Sequence, residues 1–199
     1  MAHQFSWPRT RYLYAIGNTP AVCLTRDVAP EENVDLLLLG CGDPRNVLFT
    51  VFCEQSQSVR KLDFTCCDVE PAVLARNVIL LSMIYDAEEY TGDIWNIFFH
   101  MYLSDTSHTY LVDHCRKLVG YSENISRWNR SPYGSFLRMS TEYTLSELRR
   151  HWTLYVNMHN LPADRLATLH NAFTKQGQSS STMHDTNLSS ARSAGPLHQ

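Results

Sequence analysis

The hydrophobic and polar positions in the first half of the chain predict strands that alternate with helices. Leu36–Leu39 is an apolar run without polar alternation, and this pattern predicts a strand buried on both faces. The run ends at Gly40 and Gly42, which predict a tight turn. Asp43 and Pro44 then predict a helix start with Asp43 as N-cap, because aspartate accepts the unpaired N–H groups of a first turn and proline is preset for its geometry.

A second strand follows, and helices dominate the rest of the chain. Leu62–Cys67 is again apolar and predicts the second strand. Pro71 begins a helix to about Tyr85 that is apolar nearly all round, which predicts burial within a larger fold or against a partner. Further helices are predicted over 21–27, Ile94–Leu103, Thr106–Val119, 144–157 and 162–175, the fourth of them from a capping box at Thr144 and Glu147. Weak strands are predicted at 12–16 and 136–140, and the segment 122–140 is predicted to be mostly irregular.

The order of strand, glycine turn, helix, strand and acid is the opening unit of a nucleotide-binding Rossmann-like fold. We therefore expect the α/β class, with a partial Rossmann-like parallel sheet and additional helices. A parallel sheet needs several strands covered on both faces, so two clear strands predict an incomplete domain. The expected regions are an N-terminal arm at 1–33, a Rossmann-like βαβα unit at 34–91, a helical region at 92–177 and a disordered tail at 178–199.

The candidate cofactor site comprises Gly40, Gly42, Asp43, Asp68 and Glu70. The two glycines let the backbone approach a ligand closely, since no Cβ intervenes. Asp68, at the end of the second strand, is placed to hold ribose hydroxyls, and Glu70 to assist it. Asp43 occupies the helix N-terminus where a pyrophosphate would bind. This disfavours NAD and FAD and makes S-adenosylmethionine the more compatible cofactor.

The same residues also fit a purely structural role. Glycine turns join strands to helices without any ligand, and Asp43 fits a helix cap. Asp68 and Glu70 fit acids that complement the positive end of a helix. The spacing leaves both alternatives open.

Composition excludes several classes of function. The chain has 199 residues, a net charge of −3 and no basic stripe, so we expect no nucleic-acid partner. No apolar run approaches the roughly 20 residues that cross a bilayer, and we expect no membrane association and a cytoplasmic protein. The six cysteines lie in apolar stretches without metal-ligand spacing and predict reduced core thiols.

Recognisable catalytic and metal-binding motifs are absent from the sequence. It contains no Gly-x-Ser-x-Gly elbow, no P-loop, no His-Glu-x-x-His and no zinc spacing. His100, His108 and His114 lie on predicted helices without a paired carboxylate pattern. The sequence therefore predicts neither catalytic residues nor a metal site.

Four segments carry a family resemblance: Tyr14–Val22, Leu37–Leu48, Leu62–Pro71 and Leu74–Leu81. They resemble a fungal domain of unknown function that often occurs in proteins with a MYND-type zinc finger. That domain is similar to the N-terminal domain of the dynein axonemal assembly factor family. The resemblance covers roughly residues 12–155 and implies a methyltransferase-like fold without an established reaction, in cytoplasmic scaffolding proteins. The zinc finger itself has no counterpart in this chain's cysteine spacing.

Two functional hypotheses follow. The first is a non-catalytic, methyltransferase-like interaction or assembly domain that binds a protein partner through its apolar helices. The second is an S-adenosylmethionine-dependent methyltransferase, or a degenerate protein that still binds S-adenosylmethionine. An open cleft beside Gly40 and Gly42 that reaches Asp68 would favour the second hypothesis.

Overall fold

A computed structural model describes residues 19–55, 60–87, 92–99 and 103–158, together with residues 162, 164, 165, 167, 168 and 171. Most of these lie in one compact unit, Pro20–Leu161. In the other unit, the described residues 164, 165, 167, 168 and 171 are helical, which agrees with the helix predicted there. The strand predicted at 12–16 and the tail predicted at 178–199 fall outside the described residues.

The compact unit has a mixed α/β architecture. Within the residues listed above, no helix combines the length and apolar character needed to cross a membrane. The elements in this part of the chain are two strands, β1 (Val34–Leu39) and β2 (Leu62–Cys67), and six helices, α1 (Arg45–Glu54), α2 (Pro71–Asp86), α3 (Gly92–Phe99), α4 (Asp105–Tyr121), α5 (Ile125–Asn129) and α6 (Glu142–Met158).

β1 and β2 form a small parallel sheet, joined through α1. Their register runs from Val34 opposite Leu62 to Leu39 opposite Cys67. The prediction that β1 is buried on both faces is wrong. Its side chains alternate between half-buried and exposed, and Leu37 and Leu39 are 64% and 76% exposed. Only one face of this two-stranded sheet is covered by the described chain.

Helix α2 lies at the centre of the fold, in contact with α3, α4 and α6. Its residues Ala75, Ile79 and Met83 are buried. The indole N–H of Trp152 in α6 donates to the carbonyl of Ala75 at 3.1 Å. The sequence predicted that this apolar helix is buried within a larger fold or against a partner, and helices that follow it in the chain cover much of it. Exposed large apolar side chains occur on the sheet and on α1, and also on the outer faces of α2, α3 and α6.

An aromatic cluster forms the core between α4, α5 and α6. Trp128 and Trp152 stack with their ring centroids 5.7 Å apart, and Tyr133 packs against Trp128. All three are fully buried, and the indole N–H of Trp128 donates to the carbonyl of Leu137 at 2.7 Å. Helix α5, which carries Trp128, lies in the segment predicted to be mostly irregular. Its N-terminus is capped by the side chain of Asn124.

Two predicted helix starts differ from the structure by a few residues. Helix α1 begins at Arg45 with Pro44 as its N-cap residue, one position later than predicted. Asp43 still accepts a hydrogen bond from the N–H of Arg45 at 3.1 Å. It therefore pairs an N–H group of the first helical turn, although Pro44 occupies the N-cap position. Helix α6 begins before the predicted capping box, because the hydroxyl of Thr141 accepts from the N–H of Thr144 at 3.0 Å.

Two shorter predictions also fail. The segment 136–140, predicted as a weak strand, contains turn and irregular backbone. The helix predicted at 21–27 is a series of turns. The predicted bounds of β2 are confirmed, and α2 extends one residue past its predicted end.

The aromatic core predicts a large difference between two tryptophan substitutions. Trp152→Ala should lower the free energy of unfolding by about 3–5 kcal/mol, because it removes a buried ring and leaves a cavity. Trp95→Ala is the control, since Trp95 is 50% exposed. This substitution should lower the free energy of unfolding by well under about 3 kcal/mol. Urea unfolding followed by circular dichroism measures both. Equal losses for the two variants would contradict the assigned core.

Candidate functional site at the glycine turn

The turn between β1 and α1 depends on glycine at two positions. Gly40 and Gly42 have φ values of +63° and +56°, in the left-handed region that other residues enter at a cost. Cys41 lies between them, and its N–H donates to the carbonyl of Cys67 at 2.9 Å, which extends the parallel pairing by one step. The chain can therefore reverse direction immediately after the sheet.

Asp68 joins this turn to the next one. One carboxylate oxygen accepts from the N–H of Gly42 at 3.1 Å, and the other accepts from the N–H of Glu70 at 3.0 Å. The carboxamide of Asn77 in α2 donates to the carbonyl of Gly42 at 2.6 Å. The structure thus brings Asp68 to the glycine turn. The contact is made with the protein's own backbone.

The other two candidate residues lie beside this contact. Asp43 is nearly buried and lies 3.5 Å from the guanidinium of Arg45. Glu70 occupies the N-cap position of α2. Burial lowers the pKa of His151 in α6, and the negative charge of Glu70 partly offsets this effect. The site therefore includes Asn77, which sequence analysis missed because α2 reaches the turn only through tertiary packing.

Two cavities of the described part of the chain lie away from the five candidate residues. A cavity of about 30 Å³ between α2, α3 and α4 is lined by Arg76, Met83 and Phe98 among others. It has room for only one or two water molecules. It does not include any of the five candidate residues. Among the described residues, no group of three or more histidine, cysteine, aspartate or glutamate side chains is placed to hold a metal ion.

A larger cavity of about 680 Å³ lies along α1, away from the glycine turn. Its charged groups are already paired with each other. Arg60 donates to the carboxylate of Glu54, and the hydroxyl of Thr25 donates to the same carboxylate. The hydrogen bonds from Arg60 and Thr25 lower the pKa of Glu54 to about 2. The arrangement ties the segment that precedes β1 to the end of α1.

A buried Ser-His-Asp arrangement lies in the helical part. Ser82 Oγ is 2.7 Å from Nε2 of His114, and Nδ1 of His114 is 3.7 Å from Asp86 Oδ2. The same Asp86 oxygen also accepts from Lys117 at 2.7 Å and from the hydroxyl of Tyr133 at 2.6 Å. The residues resemble a hydrolase triad in type, but Ser82 is fully buried and its hydroxyl lies against helix carbonyls. We interpret the group as a polar network of the core.

Sequence analysis missed this network. It predicted no carboxylate partner for His114, yet Asp86 lies beside it. Ser82 and Asp86 are four residues apart and share one face of α2, and this spacing was the available signal. Their partner on α4 could not be assigned without the packing of the two helices.

The cysteines differ from their predicted placement. All six are free thiols, but only Cys115 is buried. Cys66 and Cys67 are exposed, because the end of β2 is less covered than its apolar sequence suggested. The other three cysteines are half-buried.

The buried histidine predicts a loss of stability in mild acid. Burial lowers the pKa of His114 to about 4, so the unfolded chain, with an ordinary histidine pKa near 6.5, binds a proton before the folded chain does. The free energy of unfolding should therefore fall as pH decreases from about 6.5 to 4. His114→Gln should flatten this part of the profile, whereas His108→Gln on the same helix should retain it. Urea unfolding at pH 7, 6, 5 and 4 measures the effect. Identical profiles for the two variants would contradict the assignment.

The positive φ of Gly42 predicts opposite effects of alanine at two glycines. Gly42→Ala should destabilise by about 1–2 kcal/mol, because an L-residue is strained in the left-handed region. Gly120→Ala, in helix α4 with open space at its Cβ, should stabilise by about 0.4–1 kcal/mol. Chemical unfolding of both variants provides the comparison, and a neutral Gly42→Ala would contradict the turn geometry.

Comparison with known proteins gives a family for the part of the chain that contains this site. No curated protein and no solved structure matches the chain. The match to a family begins before β1 and ends after α3, and so includes the glycine turn, Asp68 and Glu70. The resemblance to a domain of unknown function is confirmed, while its fungal, zinc-finger and dynein-assembly associations stay predictions. Residues 15–103 form a domain that matches the family described as Domain of unknown function (DUF4470).

Proposed function

We propose that the chain is a non-catalytic interaction or assembly domain with a partial Rossmann-like, methyltransferase-like fold, and that it works in the cytoplasm. The fold proposal rests on the parallel β-α-β unit and on the acid that follows β2. The functional proposal rests on one observation. The carboxylate of Asp68 binds backbone N–H groups of the protein itself, at the glycine turn and at Glu70. In a cofactor site, the same carboxylate would bind the ribose of the cofactor.

This contact favours a structural role over ligand binding. Each oxygen of Asp68 already accepts one backbone N–H, and the carbonyl of Gly42 already accepts the Asn77 carboxamide. A bound adenosine would have to share or displace these hydrogen bonds. Displacement leaves partly buried backbone groups unpaired, which costs up to about 1–3 kcal/mol for each group.

An apolar surface supports the interaction role. Leu37 and Leu39 extend from the face of the sheet that the described residues leave uncovered, and Phe52 is exposed on α1. A sheet face with large aliphatic side chains is stabilised when another apolar surface covers it. We infer that a protein partner contacts this face. The apolar helix α2, which the sequence favoured for this role, is buried in the core.

The interaction role predicts a selective loss of binding. The double variant Leu37→Ser/Leu39→Ser should weaken partner binding at least about tenfold, because burial of each leucine contributes roughly 1.5–3 kcal/mol. Tyr143→Ser is the matched control, since Tyr143 is 74% exposed on α6 and should change binding little. The tagged wild-type chain and both variants are used for affinity enrichment with quantitative mass spectrometry. The recovered partner protein is then purified, and its affinity for the wild type and for each variant is measured. Equal binding to all three would contradict the proposed surface.

Binding of S-adenosylmethionine is the second candidate function. It is favoured by the contact between Gly42 and Asp68 at the end of a parallel sheet, where cofactors bind in Rossmann-like folds. The carboxylate of Asp68 also has acceptor lone pairs in addition to the two that its backbone hydrogen bonds use. Calorimetric titration of the full chain with S-adenosylmethionine separates the two functions. Our proposal predicts no heat of binding at millimolar ligand. Saturable binding that Asp68→Asn abolishes, while the variant stays folded by circular dichroism, would establish the second function instead.

A further inference from the structure

One face of helix α2 carries a cation within an apolar stripe. Arg76, Ile79, Leu80 and Met83 follow one another at intervals of three and four residues, so their side chains lie on the same side of the helix. All four line the cavity of about 30 Å³ between α2, α3 and α4. The sequence of α2 therefore places a guanidinium in a helix face that is otherwise apolar.

The charge of Arg76 is poorly compensated in this position. Its Nη2 donates to the carbonyl of Phe98 at 2.6 Å, and its guanidinium carbon lies 4.6 Å from the centroid of the Phe98 ring. No carboxylate among the described residues forms an ion pair with Arg76, and the Phe98 carbonyl accepts from one of its five N–H groups. Burial lowers the pKa of Arg76, since the surrounding atoms stabilise the positive charge less than water does. A bound anion would supply the missing counter-charge.

Tyr155 in α6 brings a second donor to the same cavity. Its side chain is half-buried, and burial raises the pKa of the hydroxyl, so the O–H is retained at neutral pH. Within the described part of the chain, this hydroxyl makes no hydrogen bond. The remaining described lining residues are isoleucine, leucine, methionine and phenylalanine. The cavity thus combines a cation and a hydroxyl donor with apolar walls.

We propose that this cavity binds a carboxylate carried on a short aliphatic chain, with Arg76 and Tyr155 as its hydrogen-bond donors. A guanidinium donates two parallel hydrogen bonds to a planar carboxylate, and this geometry makes arginine the preferred carboxylate ligand. The space for one or two water molecules suits the two carboxylate oxygens. A phosphate would bring four strongly hydrated oxygens to walls that are largely apolar. The inference is independent of the sheet face and of the glycine turn.

A nuclear magnetic resonance titration tests the site on the full chain labelled with ¹⁵N. The Nε–Hε signal of Arg76 is assigned by its loss in Arg76→Lys. Sodium propionate then replaces sodium chloride at constant ionic strength and pH 7. The Arg76 signal should shift and saturate with a dissociation constant on the order of millimolar, because so small a ligand makes few contacts. A shift that grows linearly without saturation would overturn the proposal.

Two other ligands test the assigned chemistry. Propionamide has the shape of propionate without its charge, and sodium phosphate supplies negative charge without a carboxylate. Both should leave the Arg76 signal nearly unmoved over the concentrations at which propionate saturates it. An equal response to propionamide would overturn the role of the cation, and tighter binding of phosphate would overturn the carboxylate assignment.

Tyr155→Phe tests the second donor while it keeps the aromatic ring. The affinity for propionate, read from the Arg76 signal, should fall about tenfold or more, because a hydrogen bond to a charged group is lost. Tyr143→Phe is the matched control, since Tyr143 lies on the same helix and is 74% exposed. Equal affinities of these two variants would overturn the role of Tyr155.

Arg76→Lys keeps the positive charge but removes the two-pronged geometry. Propionate binding, followed through the backbone amide signals of Ile79 and Phe98, should weaken about tenfold or more. Arg116→Lys is the matched control, because Arg116 lies outside the cavity and pairs with Asp113 at 2.6 Å. Undiminished binding by Arg76→Lys would overturn the proposal, and if this variant does not fold, Tyr155→Phe decides.

The same carboxylate can come from a free acid or from a glutamate side chain of a protein. N-acetylglutamate N-methylamide presents the propionate group from a blocked peptide unit and is titrated in parallel. Tighter binding of propionate supports the site and assigns it to a free acid, whereas tighter binding of the blocked glutamate supports it as a pocket for an acidic side chain. Failure of both ligands to bind would overturn the site.

Discussion

The hydrogen bonds of the Asp68 carboxylate are the interactions on which the βαβ part of the structure depends. One oxygen holds Gly42 in the turn after β1, and the other holds Glu70 in the turn after β2. Asn77, in the second turn of α2, donates to the carbonyl of Gly42. Helix α2 is buried among α3, α4 and α6, so these contacts attach a small two-stranded sheet to the helical core.

The local pattern of the sequence was sufficient to predict most of the elements. Stretches rich in apolar residues predicted both strands. Pro71 predicted the start of α2, because proline in the first turn of a helix depends only on local backbone geometry. The contact between Asp68 and Gly42 was also predictable. Parallel strands end at the same edge of a sheet, so residues that follow the two strands must be neighbours.

The predictions that failed depend on contacts between distant segments. An apolar run of four residues does not reveal whether one or both faces of a strand are covered, and Leu37 and Leu39 are exposed. The network of Asp86 and His114 requires α2 and α4 to pack side by side, and no spacing within either helix specifies that alignment. Helix α5 is a five-residue element, too short to show helical periodicity, and it forms around the burial of Trp128.

The structural role of Asp68 changes what its sequence motif can be taken to mean. A glycine turn followed by an acid after the next strand is usually interpreted as a cofactor site. In this chain the same acid is required by the fold, because removing its carboxylate would leave two backbone N–H groups of neighbouring turns without their acceptor. A domain with these contacts would retain the motif whether or not it binds a ligand. The motif alone is therefore evidence for the β-α-β geometry, and evidence for a cofactor has to come from binding measurements.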